Sequence, residues 1–100
     1  MEVNMSELNQ IIDTSEGPVL VKFWAAWCGP CKAYAPTFDQ FSEANPEVKC
    51  LSVDCDKNRD IAEKYDVMSI PVTLLFKDKT LVAKKNGKLT ADQLTSMLGE

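Results

Sequence analysis
Apolar residues along this chain switch between helical and strand spacing, and the switches divide it into alternating elements. Over Ser6 to Asp13, Leu8 is followed by Ile11 and Ile12. Spacings of three and four predict one apolar stripe of a helix, which ends near Gly17-Pro18. A short strand is expected before it, around Glu2 and Val3. From Val19 to Trp24 every position except Lys22 is apolar, the pattern of a strand covered on both faces. A second helical stripe follows through Ala33, Tyr34, Phe38 and Phe41 to about Ala44. Pro36 lies in its interior, where a missing N–H and a ring clash are expected to kink it. Val48 to Asp54 then alternates as a second buried strand, and Ile61, Ala62 and Tyr65 mark a short helix. Strand, helix, strand in that order predicts a right-handed crossover and parallel pairing.

The C-terminal part has another texture. Val72 to Phe76 and Thr80 to Lys85 flank the polar turn Lys77-Asp78-Lys79, as an antiparallel hairpin does. Thr90 with Gln93 forms a capping box that opens a last helix, burying Leu94, Met97 and Leu98. The expected class is α/β: a mixed sheet, parallel in its N-terminal part and antiparallel in its C-terminal hairpin, flanked by about four helices.

Composition narrows the function. One hundred residues, 45% of them apolar, are expected to form a single domain over 1–100 with a core of its own. A net charge of -4 with scattered basic residues offers no patch for nucleic acid or an anionic membrane. No segment has the apolar length needed to cross a bilayer, and Met1-Glu2-Val3-Asn4-Met5 lacks the basic-then-apolar pattern of a leader. The expectation is a soluble, cytoplasmic monomer. Cys50 and Cys55 lie in one extended segment, about 16 Å apart at strand rise and so beyond the roughly 7 Å that a disulfide spans. They read as small, semi-buried, reduced residues, with oxidative regulation or dimerisation as the other readings.

The chemistry lies in Trp27-Cys28-Gly29-Pro30-Cys31, where a strand hands over to a helix. Free N–H groups and the positive end of the helix dipole there favour a thiolate, the species that attacks disulfides. Cys31 lies one turn beyond Cys28, so the two can close into a small disulfide. Gly29 lets the turn tighten, and Pro30 sits where a missing N–H costs nothing. The same spacing could be half of a zinc site. Zinc, however, wants four ligands, and the chain has no histidine and no second such pair. There is no glycine-rich nucleotide loop either. No bound cofactor is expected, the redox group being the Cys28–Cys31 pair itself.

Phe23-Trp24-Ala25-Ala26-Trp27-Cys28-Gly29-Pro30-Cys31-Lys32, with Pro36 and the later Ser69-Ile70-Pro71-Val72, resembles the thioredoxin family over essentially the whole chain. The resemblance implies the thioredoxin fold and reduction of protein disulfides. Cys28 would be the exposed attacking thiolate, and Cys31 the more buried thiol that resolves the mixed disulfide. Pro71 would be cis, in a loop that offers main-chain groups to an extended substrate. Trp27, Gly29, Pro30, Ile70 and Gly87 would form an apolar docking rim, with Trp24 packed beneath. Disulfide-containing proteins would be the substrates and an NADPH-dependent thioredoxin reductase the partner. Plainer readings stand beside these: Trp24 as a core aromatic, Pro71 as a trans strand start, Gly87 as a turn glycine, Asp54 and Asp56 as solvated carboxylates. A rival reading of the whole is a binding module with incidental cysteines, and within the class, net oxidation or isomerisation.

One position departs from the family. Thioredoxins usually carry a buried aspartate five places before the tryptophan of the motif, and here Lys22 stands there. A buried lysine must find a carboxylate, lose its proton more readily, or snorkel to water. Charged, it would favour thiolate and make the pair a better oxidant; neutral, it could accept the Cys31 proton; at the surface, it would do little.

Overall fold
The computed structural model describes residues 1–100. Helix α1, Met5–Thr14, opens on a reciprocal cap. The Asn4 side chain accepts from the Glu7 N–H, and the Glu7 carboxylate accepts from the Asn4 N–H, both at 2.9 Å. Strand β1, Val19–Trp24, follows, then helix α2, Gly29–Ala44, and strand β2, Lys49–Asp54. β1 and β2 pair in parallel, from Val19 opposite Lys49 to Trp24 opposite Asp54. The strand expected around Glu2 and Val3 is a single parallel bridge between Glu2 and Ser52. Helix α3, Arg59–Lys64, leads to strand β3, Val72–Lys77, strand β4, Thr80–Asn86, and helix α4, Ala91–Leu98.

The sheet order is β2-β1-β3-β4, with β3 antiparallel to both β1 and β4. β1 is therefore interior, as its nearly continuous apolar run requires. Alternate residues face two cores. Val19, Val21 and Phe23 pack with Leu8, Ile12 and Ile61 from α1 and α3. Leu20 packs with Tyr34, Phe38 and Phe41 from α2 and with Leu94 and Met97 from α4. Burial of a side chain such as Phe38 or Leu94 contributes on the order of 2 kcal/mol.

Two local features differ from expectation, the place of Ala33 on α2 and the extent of the β3–β4 turn. In α2 the buried face is Cys31, Tyr34, Phe38 and Phe41, while Ala33 is exposed. Each residue turns a helix by about 100°, so a position next to the stripe falls off it. The helix continues through Pro36, whose ring is exposed. The β3–β4 turn consists of Asp78 and Lys79 alone, both with positive φ (51° and 67°), and Lys77 belongs to the strand. That is the handedness which matches the twist of a two-residue hairpin. α4 begins as its capping box predicts, with Thr90 as the cap and Gln93 completing it.

Candidate functional site
β1 ends at Trp24 and α2 starts at Gly29, so the cysteine pair sits where the C-terminal end of a central strand meets a helix N-terminus. Cys28 is the N-cap residue of α2. Its Sγ accepts the Cys31 N–H at 3.2 Å, one of the donors that a helix start leaves free. Cys28 and Cys31 form a disulfide, their Cα atoms 5.2 Å apart. Cys28 was expected to be exposed, and in this closed form it is not: it is 5% exposed, against 2% for Cys31. Ala25, Trp24 and Ile70 pack against the pair and cover it.

The Ile70–Pro71 peptide bond is cis, and the Ile70 carbonyl oxygen lies 3.8 Å from the Cys28 Sγ. Ile70 is half-buried and Pro71 buried. Gly87, just past β4, donates its N–H to the Pro71 carbonyl at 2.8 Å. Its φ of 86° is one that a side chain resists. The Ser69 hydroxyl donates to the Asn86 side chain at 3.3 Å. Gly29 and Pro30 are exposed on the first turn of α2.

Trp27 is 71% exposed, yet its indole is held. Nε1 donates to the Asp56 carboxylate at 3.1 Å, and the Asp56 N–H donates to Asp54 at 2.9 Å. Asp56 is thus a partner of the motif rather than a merely solvated turn residue. An apolar groove of about 310 Å³ runs beside the indole, walled by Trp27, Cys55, Val67, Met68 and Ile70. Val67 and Met68 carried no signal in the sequence; the fold brings them to the site.

Trp24 is half-buried, and its Nε1 donates to Glu2 at 3.1 Å. Lys22 is 5% exposed. Burial makes its ammonium easier to deprotonate than usual, while Asp39 and Glu2 act in the opposite sense. Its Nζ lies 5.2 Å from the centroid of the Phe38 ring. Cys50 and Cys55 are free thiols. Burial raises the pKa of both, and for Cys55 the carboxylates of Asp54 and Asp56 add to it. Both are therefore weak nucleophiles at neutral pH. No three His, Cys, Asp or Glu side chains converge as a metal ion needs.

A disulfide closed across one helical turn, with its first sulfur at the helix N-terminus, is opened by an attacking thiolate and, once reduced, attacks other disulfides; its chemistry is that of a thiol–disulfide oxidoreductase. Relatives make the class specific. The family model described as Thioredoxin matches residues 1–100. The chain is 38% identical over 99 residues to thioredoxin of Pseudomonas aeruginosa, covering 98% of this chain and 92% of that one. It is 40% identical over 89 residues to thioredoxin of Bacillus subtilis, covering 88% and 86%. It superposes on the oxidised form of mitochondrial thioredoxin 3 from Saccharomyces cerevisiae with a TM-score of 0.90 at 29% identity, covering 99% and 92%. The chain belongs to the thioredoxin family, and its function is dithiol–disulfide exchange through the Cys28–Cys31 pair.

Proposed function
We propose that this chain works as a monomeric protein-disulfide reductase of the cytoplasm, with Cys28 attacking, Cys31 resolving, and an NADPH-dependent thioredoxin reductase restoring the dithiol. The Cys28 thiolate attacks one sulfur of a substrate disulfide. A Cys28–substrate disulfide forms and the other substrate sulfur leaves as thiolate. The Cys31 thiolate then attacks the Cys28 Sγ, closes the intramolecular disulfide and expels the second substrate thiolate. Two electrons pass from the pair to the substrate, and no bound cofactor takes part.

The observation that carries this assignment is the place of the Cys28 Sγ, at the cap of α2 as acceptor of the Cys31 N–H, in the more open of the two cysteines. A helix cap stabilises charge on that sulfur. Trp27, Gly29, Pro30, Ile70, Pro71 and Gly87 form the rim on which an extended substrate segment docks. Lys22 and Trp24 tune the pair from below.

Single serine variants test the assignment on a protein substrate such as insulin. Cys31→Ser is expected to accumulate a mixed disulfide at Cys28, and Cys28→Ser to capture nothing. Capture by Cys28→Ser and not by Cys31→Ser would reverse the roles.

A further inference from the structure
Lys22 is the only charged residue in the buried interior, and along the strands Ser52 and Thr73 are the only other buried polar side chains. The three form one row, since Lys22 pairs with Ser52 on β2 and with Thr73 on β3. Tyr34, from α2 above, shares a hydrogen bond of 2.8 Å with the Thr73 hydroxyl. Lys22 Nζ makes no hydrogen bond to the protein and no ion pair. No fully occluded polar side-chain atom lacks a partner, so Nζ keeps contact with solvent. A cavity of about 180 Å³ adjoins it, and Cys31 is in the same wall, with Trp24, Lys32 and Ala35.

The other charged or titratable groups around this amine do not cancel it at contact distance. Glu2, from the N-terminal segment, is hydrogen-bonded to Trp24. Asp39, on α2, is exposed and forms no salt bridge with Lys22. Lys32, on α2, adds a second positive charge to the cavity. Tyr34 and, from β2, Cys50 are both held neutral by burial. An ammonium in a poorly hydrated site acts over a longer range than one in water.

We infer that the Lys22 ammonium serves as a fixed cation for the reduced pair, stabilising across the cavity the thiolate charge that Cys28 carries at rest and Cys31 carries as it resolves, and thereby biasing the pair toward the reduced form. This inference rests on disulfide exchange by Cys28 and Cys31. The Cys31 thiol gives its proton to solvent, its electron pair attacks the Cys28 Sγ, and the substrate thiolate leaves. Lys22 neither takes nor gives a proton in the step. It is a positioning residue for charge, and it makes this chain a stronger oxidant than the same chain with a neutral side chain there.

Two measurements test it. In the wild-type protein, NMR titration of the Lys22 side chain is expected to reach its midpoint at higher pH in the reduced form than in the oxidised form, because coupling between two sites is reciprocal. In equilibrium with glutathione, Lys22→Met is expected to be about tenfold less oxidising at pH 7, or about 30 mV for a two-electron couple. That gap closes as pH rises and the wild-type amine loses its proton, whereas Lys22→Arg keeps its charge and its potential. Identical Lys22 titrations in both redox forms, or Lys22→Met within twofold of wild type, would overturn the inference. Disulfide reduction by the wild-type dithiol reports separately on the exchange reaction itself: its absence would remove the reaction, whereas its presence with an insensitive potential removes only the role of Lys22.

Discussion

The indole of Trp27 donates to the carboxylate of Asp56 across 3.1 Å, although the two residues stand 29 apart in sequence. The bond fixes an exposed aromatic ring over the groove beside the disulfide. Asp56→Ala frees the ring. Because the partner is exposed, the loss is expected to be about 1 kcal/mol, read as a several-fold rise in KM for a protein disulfide with little change in kcat. Steady-state insulin reduction checks it, alongside the anisotropy of tryptophan fluorescence.

Gly87 holds the Pro71 carbonyl from a backbone conformation that favours glycine. No atom stands within 4 Å of where a Cβ would be built, so the cost of Gly87→Ala is conformational and not steric crowding. About 1 kcal/mol of stability is expected to be lost, with weaker capture of substrate by the Cys31→Ser trap. Urea midpoints and trap yields measure the two effects.

Lys79 occupies the same left-handed region, at φ 67°, in the hairpin turn. Lys79→Gly is expected to raise stability by roughly 0.5–1 kcal/mol. The turn lies at the end of β3 away from Val72 and the Pro71 loop, so activity is expected to remain unchanged. A higher urea midpoint at constant slope is the expected result.

Burial pushes the Tyr34 phenol up to about 12, with the Thr73 hydrogen bond acting weakly the other way. A group whose pKa is raised on folding adds stability while it is protonated and loses it as pH climbs. The expected window runs from about pH 10, the ordinary value, to about pH 12. Tyr34→Phe removes this part of the alkaline loss. It also leaves the buried Thr73 hydroxyl without its partner, costing about 1–2 kcal/mol at neutral pH. Urea midpoints of both proteins between pH 7 and pH 12 separate the two effects.

Much of this was legible in the sequence wherever the cause is local. β1 could be bounded to the residue because a strand covered on both faces is apolar almost throughout, and the start of α4 because Thr90 and Gln93 cap each other's backbone. The cysteine pair could be placed at a helix start for the same reason. The Asn4 and Glu7 cap is just as local, but it lies ahead of the first apolar position of the stripe, and the expected helix began one residue late. What could not be read depends on register. Asp56 meets Trp27, Val67 and Met68 reach the groove, and Thr73 falls opposite Lys22 only once the strands are aligned. The place of Ile70 beside Cys28, 42 residues away, was legible only through the family resemblance.

The most direct measurement is competitive alkylation of the fully reduced protein at pH 7, mapped residue by residue by mass spectrometry. Cys28 is expected to react at least about tenfold faster than Cys50 or Cys55, because its sulfur caps a helix while burial holds the other two protonated. Modification of Cys28 at the same rate as those two thiols would contradict an ionised, attacking sulfur at the start of α2.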